Sequence, residues 1–102
     1  MHAIDISETD LRRFCLRWRI ARLELFGSAL RGELKPESDV DFLVTWEEEA
    51  NWGLFEKAAM ERELAGILGR PVDLVSRRAI EASPNHLRRE GILARTETIY
   101  AA

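Results

Sequence analysis

The chain has one cysteine, one tyrosine, two histidines and three prolines among its 102 residues. Each shortage closes off a class of protein. Cys15 alone cannot form an intramolecular disulfide, and a lone thiol suits a reducing compartment. His2 and His86 have no metal-ligand spacing to each other or to Cys15, so neither is assigned a role. No apolar run approaches a membrane span, and the start lacks a basic segment followed by an apolar one. The expectation is a soluble, cytoplasmic protein with no membrane partner. A basic excess is missing too: 15 lysines and arginines face 18 aspartates and glutamates, a net charge of −3. That argues against a direct nucleic-acid partner, which usually calls for a strong positive balance. There is no internal repeat, low-complexity segment or linker, and residues 1–102 read as one domain with one core.

What charge there is, is uneven. Glu47, Glu48 and Glu49 crowd the middle, while Arg77, Arg78, Arg88, Arg89 and Arg95 crowd the C-terminal quarter. Both clusters read first as solvated surface. The sharper reading makes the basic end a patch that faces phosphate or a partner.

Hydrophobic periodicity supplies the elements. Ser7 and Asp10 have capping-box spacing, and Leu11, Phe14, Cys15 and Trp18 then fall on one helical face. Cys15 lies within that stripe, which assigns it to packing rather than catalysis. Residues 20–26 read as a strand ended by Gly27, followed by a helical turn over 29–33. A second strand runs over 39–45. A helix over 54–68 carries Met60, Leu64, Ile67 and Leu68 on one stripe, with Gly69 closing it and Pro71 blocking its continuation. PVDLVS is a third strand. Ser83-Pro84 predicts an N-cap and first residue for a last helix ending near 93, with Tyr100 in a mobile tail. This is an α/β (α+β) fold with a small sheet flanked by helices. The first two strands are joined too closely for a crossover helix, so the sheet is expected to be mixed.

The chemistry concentrates in GSALRGELKPESDVDFLV, residues 27–44. Side chains alternate along a strand, so Asp39 and Asp41 share a face. Two carboxylates this close repel, and a divalent cation relieves the repulsion. Magnesium takes one or two carboxylates and completes its shell with water and phosphate oxygens. Asp73 sits in the apolar strand PVDLVS, where an unpaired charge is costly. It could pair with Arg70 or Arg77. If its strand neighbours the second one, three carboxylates converge, enough for two metal ions about 4 Å apart. Upstream, Gly27 lets a phosphate approach the backbone, Ser28 adds a hydroxyl, and Arg31 lies within reach of a phosphate or carboxylate. Gly-Ser alone is equally a plain turn with Ser28 as a cap. Together, Gly27, Ser28, Arg31, Gly32, Ser38, Asp39 and Asp41 make seven fixed positions. At roughly 5–7% usage each, their chance coincidence is on the order of 10⁻⁸ to 10⁻⁹ per start site.

This pattern resembles the polymerase-β-like nucleotidyltransferase superfamily, marked by Gly-Ser, a D-x-D and a more distant third carboxylate. The whole chain, including the ending GRPVDLVSRRAIEASPNHLRREGILARTETIYA, is similar to the minimal nucleotidyltransferases of prokaryotes. The resemblance implies a polymerase-β-like core in which Gly27 and Ser28, with Arg31 and Ser38, bind a nucleoside triphosphate. Asp39 and Asp41 would hold two Mg2+ ions. Asp73 would ligate the catalytic one and help deprotonate the attacking hydroxyl. The reaction implied is transfer of AMP from ATP, with pyrophosphate released.

The chain ends about thirty residues after Asp73, so the acceptor is expected to bring its own binding surface, as a protein would. Minimal nucleotidyltransferases are commonly encoded beside HEPN-domain ribonuclease toxins and neutralise them by adenylylating a tyrosine. The resemblance thus implies an antitoxin and a hetero-oligomer with a HEPN partner. Two other readings stand beside it: a binding module that silences its partner by occlusion, and a homodimeric nucleotidyltransferase acting on a small molecule. A nucleic-acid polymerase fits least. Trp46 and Trp52 flank the acidic loop and read as covers for the core or, alternatively, as surfaces for adenine or a partner.

Overall fold

In the computed structural model, which describes residues 6–32, 35 and 37–102, the Ser7 hydroxyl accepts from the Asp10 N–H and opens α1 (Glu8–Arg17). The chain then turns through Arg19, held at φ 56°. It enters β1 (Ile20–Phe26), passes a short α2 (Ser28–Arg31) and continues into β2 (Val40–Trp46). Next comes α3 (Leu54–Leu68), opened by the Glu56 carboxylate accepting from the Gly53 N–H at 2.7 Å and closed by Gly69 at φ 74°. β3 (Val72–Ser76), α4 (Arg77–Glu81), α5 (His86–Leu93) and β4 (Glu97–Ala101) follow. Glu33, where the expected helical turn ends, and His2 lie outside the described residues.

The four strands form one sheet in the order β3-β2-β1-β4. β1 is antiparallel to β2 and β4, and β2 is parallel to β3. The sheet is therefore mixed, as the short β1–β2 connection requires. α3 is the crossover that lets β3 run alongside β2.

Alternation gives each face its own partners. Val40, Phe42 and Val44 of β2 join Leu23 and Leu25 of β1 and Leu74 of β3 in one fully buried layer. Phe14 and Cys15 of α1 and Met60 and Leu64 of α3 close over it. Cys15 is completely covered, and burial pushes its thiol up to about 12, so it packs as a small apolar residue. On the opposite face Phe26 and Leu43 meet Ile80 of α4, flanked by Ile92 and Leu93 of α5. This second layer is thinner, and it is the one that carries the site.

Two sequence expectations are corrected here. Ser83-Pro84 does not start the last helix: Asn85 is its cap, with Oδ1 accepting from the Arg88 N–H at 3.1 Å, while Ser83 Oγ accepts from the Asn85 N–H. The residues around Tyr100 are a strand rather than a mobile tail. Tyr100 pairs with Leu23 of β1 and packs against the main core. Short edge strands leave little periodic signal, and α4, five residues long, leaves less.

The tryptophans resolve to covers for the core. Trp52 donates its indole N–H to the Trp18 carbonyl at 2.9 Å, and the two rings meet edge to face at 5.3 Å. Trp46 ends β2 at the far end from Asp41, which separates both rings from the carboxylates. Of the acidic run, Glu47 and Glu49 both face the Arg19 guanidinium, at 3.3 and 3.8 Å.

Candidate active site

Asp41 and Asp73 are direct Cα partners across the parallel β2–β3 pair. The register Phe26↔Asp41 puts Phe26 on the same face. The parallel ladder thus sets two carboxylates side by side at the entry of both strands. Asp39 precedes β2 and is exposed. Its charge still reaches Asp41, whose carboxyl is raised above its ordinary value by burial first, then by the charges of Asp73 and Asp39, against an opposing pull from Arg31. Arg70 and Arg77 do not neutralise Asp73: Arg70 donates to the Lys35 carbonyl and Arg77 to Glu24. Among the described residues Asp73 has no cationic partner. A half-buried carboxylate pair under mutual repulsion with one cationic neighbour has the charge and hard oxygen donors that suit a magnesium ion.

Among the described residues no three His, Cys, Asp or Glu side chains gather into a cluster that could hold a metal by protein ligands alone. The sequence expectation of three converging carboxylates is met for Asp41 and Asp73 and only electrostatically for Asp39.

Gly27 completes this corner. It caps α2 at φ 79°, ψ −144°, and a Cβ built on it would stand 2.7 Å from Asp41 Oδ2. Glycine is required here twice over, by conformation and by space. A Gly27→Ala substitution is expected to lower stability by about 1–3 kcal/mol, read as a lower urea midpoint. Ser28 is the first residue of α2 and is half-buried. Ser38 has a turn role: its hydroxyl accepts from the Lys35 N–H at 3.2 Å, and its own N–H donates to the Lys35 carbonyl. The Val40 N–H donates to the Pro71 carbonyl, fixing the starts of β2 and β3 together.

A cavity of about 540 Å³ opens beside these residues. Phe26, Gly27, Arg31 and Asp41 form one side of it. The other side is α5, through Leu87, Arg88 and Gly91, and the bend that follows it, through Arg95. Ser28, Ser38, Asp39 and Asp73 lie off its walls. The sequence marked the arginines of α5 as a basic cluster but gave no sign that the helix faces Gly27, because that depends on how α4 and α5 fold back over the sheet.

Sequence reasoning also missed Glu24. It is 1% exposed on β1, on the same face as Phe26. Arg77 Nη1 donates to both of its carboxylate oxygens, at 2.8 and 2.7 Å, and the Thr96 hydroxyl donates at 2.8 Å. This cluster ties β1 to the start of α4 and to the approach of β4. A glutamate in the strand IARLELF is the available signal, since a buried charge requires a partner.

Comparison with known proteins places this geometry. Residues 9–97 match the family model described as a nucleotidyltransferase domain. The chain is 38% identical over 66 residues to protein adenylyltransferase MntA of Thermococcus cleftensis, covering 65% of each chain. It is 34% identical over 64 residues to a Methanocaldococcus jannaschii protein named as a protein adenylyltransferase, covering 63% of this chain and 64% of that one. The match thus spans just under two thirds of these relatives. A solved structure assigned as a minimal nucleotidyltransferase is 38% identical, with a TM-score of 0.64 over 91% of this chain and 86% of that one. A toxin–antitoxin structure with AMP-PNP shares the fold at 19% identity, with a TM-score of 0.71 over 95% of this chain and 75% of that one. With the family model matched from α1 to β4, the chain belongs to the nucleotidyltransferase domain family.

Proposed function

We propose that this protein transfers AMP from ATP to a protein hydroxyl, a tyrosine of a cognate HEPN ribonuclease toxin, and so acts as its antitoxin. The observation that carries the reading is the opposed pair Asp41 and Asp73 beside the Gly27 turn. Support comes from the relatives named as protein adenylyltransferases and from the toxin–antitoxin fold with AMP-PNP.

In this reading Gly27 admits the triphosphate to the backbone and the Ser28 hydroxyl donates to it. Asp39, Asp41 and Asp73 would hold two magnesium ions, which supply charge neutralisation at the phosphates. Asp73 also takes up the proton of the attacking hydroxyl, whose oxygen bonds to the α-phosphorus as pyrophosphate departs. Arg31, close enough to draw on the Asp41 charge, balances the cluster. Ser38 holds the turn that delivers Asp39.

The test is an intact-mass spectrum of the product of the adjacent gene after incubation with this protein, ATP and magnesium, beside an Asp39→Asn/Asp41→Asn control. A gain of whole AMP units, absent in the control, is expected. A partner silenced without any mass gain would replace transfer by occlusion.

A further inference from the structure

The cavity wall formed by α5 and the bend after it takes no part in the proposed reaction. Its arginines divide into two kinds. Arg89 is engaged, donating to the Ser83 carbonyl at 2.9 Å and contacting His86 Nδ1. Arg88 and Arg95 line the cavity, and among the described residues neither side chain has a hydrogen bond or ion pair. Arg88 lies in the first turn of α5 and Arg95 two residues past its end, so the two bracket the helix along this wall. Gly91 lies between them on the same wall. Glycine is a poor helix former, and a Cβ at Gly91 would meet nothing within 4 Å. Neither helix propensity nor packing accounts for it. What the missing side chain leaves is an open groove flanked by two guanidinium groups, facing the Gly27 turn and Asp41.

A nucleoside triphosphate entering this corner brings several negative charges toward carboxylates that already repel one another. Guanidinium groups are well matched to phosphate oxygens because their fork of N–H donors binds two at once. We infer that α5 and the bend after it form a polyphosphate clamp, in which Arg88 and Arg95 hold the pyrophosphate portion of the triphosphate across the groove left by Gly91. The inference rests on the nucleotide reading of the site and adds the residues that bind the leaving group.

Binding of inorganic pyrophosphate and of AMP, each with magnesium, is measured by calorimetry. The comparison covers wild type, Arg88→Gln, Arg95→Gln, the double variant and Gly91→Leu. Arg13→Gln serves as the charge control: it is exposed on α1, across the sheet from the cavity. Loss of one charged hydrogen-bonding group predicts about tenfold weaker pyrophosphate binding for each single variant and about a hundredfold for the double. AMP affinity stays within about twofold, since AMP lacks the groups the clamp holds. Gly91→Leu melts at or above the wild-type temperature and loses pyrophosphate. Pyrophosphate binding unchanged in the double variant, or AMP weakened equally, overturns the clamp and turns the two arginines over to an acidic partner surface. Failure of AMP transfer to any partner protein, with this pattern intact, would count against the proposed reaction and leave the clamp standing.

Discussion

Asp41→Asn will cut AMP transfer by about a thousandfold or more, and the variant will melt no lower than the wild type. The two halves of this result have one cause. Asp41 is half-buried, opposite Asp73 and within the field of Asp39. In the free protein its charge is a liability, because like charges repel in a region partly cut off from water. In the proposed reaction the same charge would hold the ion once metal and triphosphate are bound. Charge neutralisation by a metal at phosphorus contributes several kcal/mol, and each 1.36 kcal/mol is tenfold in rate, which gives about three orders of magnitude. Initial rates and melting curves on the same preparations check it. Lost activity accompanied by a large fall in melting temperature would make Asp41 a scaffold residue.

Arg77→Ala has the largest expected effect on stability, a loss of about 3–5 kcal/mol. It strands the Glu24 carboxylate, 1% exposed, with only the Thr96 hydroxyl and a longer contact to Arg22 at 3.5 Å. Against a total stability of about 5–15 kcal/mol for a domain, this takes a large share. Removing both charges, in Glu24→Leu/Arg77→Leu, leaves nothing uncompensated and should recover most of the loss. Urea midpoints of the single and double variants decide it. A single variant as costly as the double would mean that the pair acts only through packing. The same comparison has a functional reading: Arg77 starts α4, so its loss also loosens the layer that carries the cavity wall.

The two parts of the site differ in how far the sequence reveals them. Gly27, Ser28, Asp39 and Asp41 fall within fifteen residues, so a local pattern can show them, and alternation along one strand is enough to pair the aspartates. Strong periodicity likewise exposes α1, α3 and the first three strands. Asp73 becomes informative only through the parallel pairing of β2 and β3, which the α3 crossover makes plausible from sequence. The rest is non-local. Glu24 meets Arg77 across 53 residues and Thr96 across 72, and each member alone reads as an ordinary polar residue. α5 reads as a solvated helix because Arg88 and Leu87, the latter 84% exposed, have no role until the cavity is seen. β4 is five residues at a sheet edge, with half its ladder open.

α5 has no buried residue of its own and leans on the sheet through Ile92 and Leu93. An element held so lightly opens at a free energy well below that of the whole domain. On the proposed clamp, nucleotide that binds only the seated helix must draw on part of its interaction energy to keep it seated, and in return protects its amides from exchange. The site's affinity is therefore linked to a local unfolding equilibrium as well as to its contacts. Substitutions on the outward side of α5 that touch no ligand will tune nucleotide binding simply by changing how often that wall is in place.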